Sequence, residues 1–214
     1  MAGNGGKAEI EDRAPEEFVT CREDLLAVAI DLFAERGFKG TSMRNVADAL
    51  GVSVSNIYHY FGSKEGLWLA ILEHSVKDLP RQLVAAANEG GDDPIQRFRA
   101  LLTEHLKLSI RHLKESQIFF IDQSMLSPEG MRVNRKIQKA VLDIYVREIG
   151  ALNSSARSKN DIKILAFNVL GLINWHLRWY REGGPLPADM VRQRIIDFAM
   201  QGVLCSPDPA WSGQ

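Results

Sequence analysis

The chain has 214 residues, of which 45% are hydrophobic and 25% are charged, and its formal net charge is −1. This composition is ordinary for a globular protein with a real core, and the global charge gives no sign of a nucleic-acid or membrane partner. No apolar run approaches the ~20 residues of a membrane-spanning helix, and the polar first residues do not resemble a signal peptide. We therefore expect a cytoplasmic protein whose two cysteines, Cys21 and Cys205, are reduced thiols.

Helical periodicity predicts helices almost throughout, without an alternating strand pattern of useful length. The first helix is expected to begin at Arg22 and to stop at Gly37, because glycine tolerates the backbone that ends a helix. Short helices capped by hydroxyl side chains follow. The fourth helix is expected to continue to about Asn88 with a kink at Pro80, because proline removes a backbone donor.

The predicted fold is therefore all-α, with about nine helices. A disordered tail at 1–20 precedes a three-helix helix-turn-helix domain at 21–67. A helical bundle at 68–205, long enough to bind a ligand and to dimerise, is followed by a second tail at 206–214.

Residues 43–60 carry the steric pattern of a helix-turn-helix. Two short helices that cross steeply need a small residue where they touch, which Ala47 supplies, and the turn needs a residue that tolerates positive φ, which is Gly51. Apolar residues fill the remaining inward positions, namely Val46, Leu50, Val52, Ile57 and Tyr60. The complete pattern favours a DNA-binding motif over an ordinary helical hairpin.

The second of these helices contains consecutive rings, in the run Tyr58 to Phe61. Successive helical residues point about 100° apart, so one helix cannot bury them all. If Ile57 points inward, Phe61 lies near it, whereas Ser55 and His59 face outward with Asn56 and Tyr58 beside them. Such side chains hydrogen-bond to phosphates or base edges. Because the domain is not basic overall, binding must depend on Arg44, Lys64 and helix N-termini.

The line LFAERGFKGTSMRNVADALGVSVSNIYHYFGSKEGL resembles the N-terminal domain of TetR/AcrR-family transcriptional regulators from about Arg22 to Leu67. The resemblance implies DNA contacts in three groups. Residues near the groove edge are Thr41, Ser42 and Arg44; those from the recognition helix are Ser53, Ser55, Asn56, Tyr58 and His59; those on phosphates are Tyr60 and Lys64. It also implies a homodimer on a palindromic operator and a small effector held by the C-terminal helices.

The run INWHLRWYREGG contains Trp175 and Trp179 one helical turn apart, with Arg178 beside them. Two interpretations are open. The tryptophans pack in the core or a dimer interface, or they form an aromatic wall with a cation at the mouth of a cavity, suited to an acidic or phosphate-bearing amphiphile. Phe120 is a further candidate for a pocket wall, although apolar residues at such spacing commonly belong to the core.

This run is similar to one in a TetR subgroup that responds to acyl-coenzyme A thioesters, which implies an acyl-CoA-like or lipid-like effector. The sequence predicts a ligand-responsive repressor with no catalytic residues, cofactor or metal. One alternative is an all-α ligand-binding protein or enzyme that does not bind DNA. Another is a TetR-like activator, or a regulator of the same kind that responds to drug-like hydrophobic compounds.

Overall fold

A computed structural model describes residues 22–119, 126–152 and 157–205, so both predicted tails and Phe120 lie outside the described residues. The described part forms ten α-helices and contains no strand. They are α1 (Arg22–Gly40), α2 (Met43–Leu50), α3 (Val54–Phe61), α4 (Lys64–Ser75), α5 (Leu79–Glu89), α6 (Pro94–Arg111), α7 (Leu113–Phe119), α8 (Pro128–Leu152), α9 (Lys159–Trp179) and α10 (Ala188–Leu204). The all-α prediction is confirmed. None of these helices is long and apolar enough to cross a bilayer.

Helix α1 breaks where the sequence predicts it to end. Gly37 has φ 71°, a conformation that suits glycine, and the chain turns there before Phe38. The ring of Phe38 stacks on Phe33 at 5.7 Å between centroids, which returns the chain to the core. The turn thus directs the backbone into α2.

The predicted kink at Pro80 is wrong, because the chain forms two helices there. Helix α4 ends at Ser75 and α5 begins at Leu79, with Pro80 in the first turn of α5. A proline ring clashes with the carbonyl four residues earlier, here that of Val76, so the helix must stop before the proline. Proline is accepted in a first turn because its missing N–H would have no helical partner. The break therefore lies at 76–78.

Two clusters of buried residues form the core. The first joins α1 to α4 and continues into Ile118 of α7 and Leu126, so the boundary predicted after Leu67 falls inside one packed cluster. The second joins α5, α6, α8, α9 and α10. At its edge Arg97 donates two hydrogen bonds, of 3.0 and 3.1 Å, to the buried carboxylate of Glu148. Burial alone would raise the pKa of Glu148, but hydrogen bonds from Arg97 and Arg147 outweigh it, and the pKa is lowered.

Candidate nucleic-acid interface and internal cavities

Helices α2 and α3 pack at the small residue that the sequence indicates. Ala47 and Ile57 are fully buried. Gly51 ends α2 with φ 67°, and its N–H donates to the carbonyls of Ala47 and Asp48. The next amide, that of Val52, donates to the Ala47 carbonyl at 3.1 Å. This tight turn fixes the direction in which α3 leaves α2.

One face of α3 is exposed to solvent. Ser55, Tyr58, His59 and Tyr60 are exposed, with 48% of Tyr58 accessible, whereas Phe61 is buried with Ile57. Asn56 is half-buried. Tyr60 therefore does not fill an inward position, contrary to the sequence pattern. It lies at the edge of the helix, where its ring packs against His59 and Phe61.

Three serines cap the helices around this face. Ser53 and Ser63 accept hydrogen bonds from the amides of Asn56 and Gly66, at 3.2 and 2.9 Å. Ser42 forms a capping box with Asn45, in which its hydroxyl donates to Oδ1 and accepts from the amide. Side-chain caps leave other first-turn amides of each helix directed outward, where they favour anions. The hydroxyl of Ser42 is already committed to its own helix.

Thr41 is misassigned by the sequence prediction. Its side chain is only 2% exposed, and the hydroxyl lies 3.0 Å from the carbonyl oxygens of both Leu32 and Gly37. The Gly37 carbonyl belongs to the residue at which the helical backbone of α1 breaks. Thr41 therefore stabilises the end of α1, and its side chain is not available to a nucleic acid.

The two predicted cations are placed differently. Arg44 is exposed on α2. Lys64 is half-buried, and its ammonium lies 4.3 Å from the centre of the Phe38 ring. Burial lowers the pKa of Lys64. The aromatic ring thus holds the ammonium at the N-terminus of α4, beside the cap at Ser63.

Glu65 joins this N-terminal part to the rest of the chain. Its carboxylate accepts a hydrogen bond of 2.8 Å from the amide of Ser127, at the start of α8. The carboxylate also lies against Gly130, where a Cβ atom would come within 2.1 Å of Oε1. Only glycine at position 130 allows this approach. The contact links the first turn of α4 to the first turn of α8.

A cavity of about 680 Å³ lies among α4 to α9. Its lining residues are His74, Ser75, Val76, Asp78, Leu79, Gln82, His105, Leu108, Ser109, His112, Ser116, Arg135, Ile137, Gln138, Lys139, Val141, Leu142, Phe167, Leu170, Gly171, Asn174 and Leu177. The charged groups Asp78, Arg135 and Lys139 are exposed and therefore lie at the rim. The volume suits a small organic ligand.

His105 lines this cavity and lies next to two other buried polar residues, Tyr145 and His176. His105 is 6% exposed, and its Nδ1 lies 2.8 Å from the hydroxyl oxygen of the buried Tyr145. Burial, with a smaller effect of nearby His176, lowers the pKa of His105 from 6.5 to about 4. Burial raises the pKa of Tyr145 and lowers that of His176. All three groups are therefore uncharged near neutral pH.

A second cavity of about 710 Å³ adjoins the first, and both share Gly171, Asn174 and Leu177. Trp175 and Arg178 line it, with the guanidinium 5.6 Å from the indole centre. Lys114 and Arg181 also line it. We call this cavity the basic groove.

The two tryptophans thus have different surroundings. Trp175 and Trp179 are 63% and 44% exposed, so core packing is excluded for both. Trp179 lines neither cavity. Of the two, only Trp175 borders one of these cavities, and a position in a dimer interface stays a prediction for both.

Sequence patterns do not indicate the polar residues of the cavity of about 680 Å³. His105 belongs to no motif, and Tyr145, 40 residues later, carries no local signal. Only tertiary packing joins α6 to α8. The exposed rim cation Arg135 was likewise unremarkable in an amphipathic helix.

Comparison with known proteins gives two family matches. Residues 25–71 match the model for bacterial regulatory proteins of the tetR family, and residues 91–203 match that of the tetracyclin repressor-like C-terminal domain. The chain is 31% identical to the HTH-type transcriptional repressor KstR2 of Rhodococcus jostii over 194 residues, covering 87% of this chain and 92% of the relative.

Solved structures share the fold. The TetR-family regulator PfmR of Thermus thermophilus aligns with TM-score 0.70 and 27% identity, over 83% of this chain and 97% of that protein. AibR, solved in complex with isovaleryl coenzyme A and operator DNA, aligns with TM-score 0.72 and 23% identity, over 82% and 96% of the two chains. At that identity, the likeness to AibR concerns the fold alone.

The shifted pKa of His105 predicts acid sensitivity. Between pH 6.5 and 4 the unfolded chain binds a proton at residue 105 that the folded chain does not, so the free energy of unfolding falls as the pH falls through this window. The contribution has a limiting slope of about 1.4 kcal/mol per pH unit. We expect His105→Gln to lose less stability than the wild type on acidification from pH ~6.5 to ~4, measured by urea unfolding. His74→Gln, a change at an exposed residue of the cavity rim, is the control and should follow the wild-type curve.

Proposed function

The chain belongs to the tetR family of bacterial regulatory proteins, and we propose that it acts as a homodimeric repressor that leaves a palindromic operator when an acyl-CoA-like effector binds. The observation that carries the proposal is the face of α3, where buried Ile57 anchors the helix and Ser55, Tyr58 and His59 are exposed. Such a helix beside a glycine turn fits the major groove. We propose that the protein has no catalytic activity. We also propose that it is located in the cytoplasm.

The proposed DNA contacts divide by chemistry. The polar side chains of α3 and its cap would meet base edges and nearby phosphates, namely Ser53, Ser55, Asn56, Tyr58 and His59. Arg44, Tyr60 and Lys64 would meet phosphates. Ser42 would contribute through the N-terminus of α2, because its hydroxyl is engaged with Asn45. Thr41 is not among the proposed DNA contacts, because its side chain is buried.

The outer surface of α9 and α10 supports a homodimer. An apolar stripe at helical spacing runs along α9 through Ile164, Phe167, Trp175 and Trp179, all exposed, and Phe198 of α10 is 64% exposed. Exposed apolar surface of this extent typically marks an interface. The tryptophans then lie at the interface, with Trp175 also bordering the basic groove.

The two adjoining cavities support an effector with an apolar part and an anionic part. Apolar side chains of α6, α8 and α9 would enclose an acyl chain. The basic groove, with Arg178 and Arg181, would hold phosphates, and the Trp175 ring offers a stacking surface. Lys114 also lines the groove, but its ammonium is paired with Asp31 at 2.7 Å. AibR is a protein of this fold that was solved with an acyl-CoA and DNA. Positive charge in the groove would repel cationic drug-like compounds, which disfavours them as alternative effectors.

The path from cavity to DNA is proposed to follow α4. This helix of 12 residues spans about 18 Å, from Lys64 beside the reading face to Ser75 in the cavity wall. The contact of Glu65 with Ser127 adds a second connection, because α8 also lines the cavity. An effector that favours another arrangement of α4 or α8 would shift the population of DNA-binding dimers.

The DNA-binding proposal is tested on α3 itself. We expect Tyr58→Ala and His59→Ala to keep the wild-type unfolding curve, because both side chains are exposed, and each to lose about tenfold or more in operator affinity. Ile57→Ala should instead lose about 2–5 kcal/mol of stability, because it empties a buried position. Fluorescence anisotropy with the DNA upstream of the gene gives the affinities. Wild-type affinity in both surface variants would contradict the assignment of the reading face.

The effector class is tested by competition. Octanoyl-CoA should release the bound DNA at a concentration at least about tenfold lower than octanoate or free CoA, because only the thioester fills both cavities. Arg178→Ala combined with Arg181→Ala should weaken the response to octanoyl-CoA. Arg99→Ala, which removes an exposed arginine outside both cavities, is the matched control. Equal potency of octanoate and octanoyl-CoA would exclude the CoA half of the proposal.

The coupling path is tested with two glycines of the same helix. Gly130→Ala should displace the Glu65 carboxylate, whereas Gly150→Ala meets its nearest neighbour, Ile162, only at 3.8 Å. We expect the ratio of operator affinities without and with octanoyl-CoA to fall several-fold in Gly130→Ala and to remain unchanged in Gly150→Ala. Equal ratios in the two variants would show that the contact of Glu65 with Ser127 carries no coupling.

A further inference from the structure

We propose that His105 reads the effector by donating a hydrogen bond from Nε2–H to an uncharged oxygen, such as a carbonyl, with Tyr145 holding the imidazole in the required tautomer. The inference rests on the proposed function and deepens it, since it concerns which ligands the cavity of about 680 Å³ selects. It concerns the buried end of that cavity, whereas the phosphate-binding proposal concerns the basic groove.

The tautomer follows from hydrogen-bond accounting. A phenol has one proton, and the hydroxyl of Tyr145 has only Nδ1 of His105 as a partner among the described residues. If Nδ1–H were the donor, a fully buried O–H would remain unpaired, which is unfavourable. The arrangement that satisfies both groups has the Tyr145 O–H donating to Nδ1. The proton of the imidazole then resides on Nε2.

The donor that results has no partner among the residues that the structure describes. Nε2 of His105 forms no hydrogen bond with any of them, and it is not among their fully enclosed unpaired atoms. His105 lines the cavity of about 680 Å³, so a ligand there can reach this N–H. Ser109, on the same helix and the same wall, is different because its hydroxyl donates to the Leu106 carbonyl at 3.0 Å.

A second polar residue, Ser75, lines the same cavity. Its hydroxyl has no hydrogen-bond partner among the described residues, but the oxygen is enclosed, so a ligand reaches it only after a rotation about χ1. Enclosed polar groups are normally paired, so this hydroxyl is a candidate second contact for a polar ligand atom. Ser75 ends α4, and a ligand bound to both groups would therefore touch α4 and α6 together.

The charge of the site limits the ligand chemistry. His105 and Tyr145 are both neutral near pH 7, since burial disfavours their charged forms. A carboxylate at this depth would lose its hydration without a cation to replace it, which is costly. The cations of the cavity, Arg135 and Lys139, are exposed, and Lys139 is paired with Asp143 at 2.5 Å. A neutral acceptor therefore fits the buried end, and an anionic group fits the rim or the basic groove.

The experiment compares ligands that differ only in one carbonyl oxygen. Isothermal titration calorimetry would use two pairs: octanoyl-CoA with S-octyl-CoA, and a butyl-substituted cyclohexanone with the corresponding cyclohexane. We expect the wild type to prefer the carbonyl member of at least one pair by roughly three- to tenfold. His105→Leu should abolish the preference, and His105→Gln should retain it, because the glutamine amide places an N–H near the position of Nε2. Tyr145→Phe should reduce it.

Ser109→Ala is the matched control, since it changes the same wall without removing an available donor. Nitrogen NMR of the wild-type imidazole tests the tautomer directly, even if His105→Leu does not fold. A proton on Nδ1, no carbonyl preference in either pair, or the same preference in His105→Leu would each overturn the inference. DNA binding is measured separately: a carbonyl preference without operator binding would refute the proposed function and leave the inference standing.

Discussion

One helix of fixed length, α4, connects the proposed DNA-binding face at its N-terminal end to the cavity wall at its C-terminal end. Ser63 caps its first turn, beside Lys64 and Glu65, and Ser75 and Val76 at its other end form part of the cavity wall. The proline at position 80 determines where the helix must stop, because its ring excludes a helical carbonyl at Val76. An α-helix is stiff over three turns, so its two ends cannot move independently. A ligand that displaces Ser75 must therefore also move Lys64, unless the helix bends or breaks between them.

The polar side chains around the cavity differ in charge according to how deeply they are buried. Charged side chains such as Arg135 are exposed at the rim, whereas the buried lining residues His105 and Ser109 carry an imidazole and a hydroxyl, and the phenol of Tyr145 contacts that imidazole. The low pKa of His105 expresses the same physics, since desolvation opposes its protonation. Selectivity in such a site comes from the geometry of hydrogen bonds, and affinity comes from apolar surface. The basic groove next to it offers the opposite chemistry, with the guanidinium of Arg178 over the indole of Trp175 and Arg181 in the same wall.

The sequence predicts well what local patterns control. The burial of Ile57 and the exposure of His59 follow from helical periodicity, and Gly37 and Gly51 mark the turns because their backbones need positive φ. Thr41 was misassigned because its partner Leu32 lies nine residues earlier and is brought near only by the turn at Gly37. The pair of His105 with Tyr145 and the contact of Glu65 with Ser127 join separate helices, so no spacing in the sequence indicates them. The exact positions of the predicted DNA contacts on an operator remain predictions.

Helix α9 connects the two cavities to the proposed dimer interface. Asn174 and Leu177 border both cavities, while Ile164, Trp175 and Trp179 of the same helix face outward along the proposed dimer interface. In the proposed dimer a small rotation of α9 would be repeated in the partner, because a two-fold interface is self-complementary, and it would change the separation of the two α3 helices. Adjacent half-sites on DNA are spaced by a helical turn, which tolerates little change in that separation. A ligand that moves only α9 would thus alter operator binding, in parallel with the proposed path through α4.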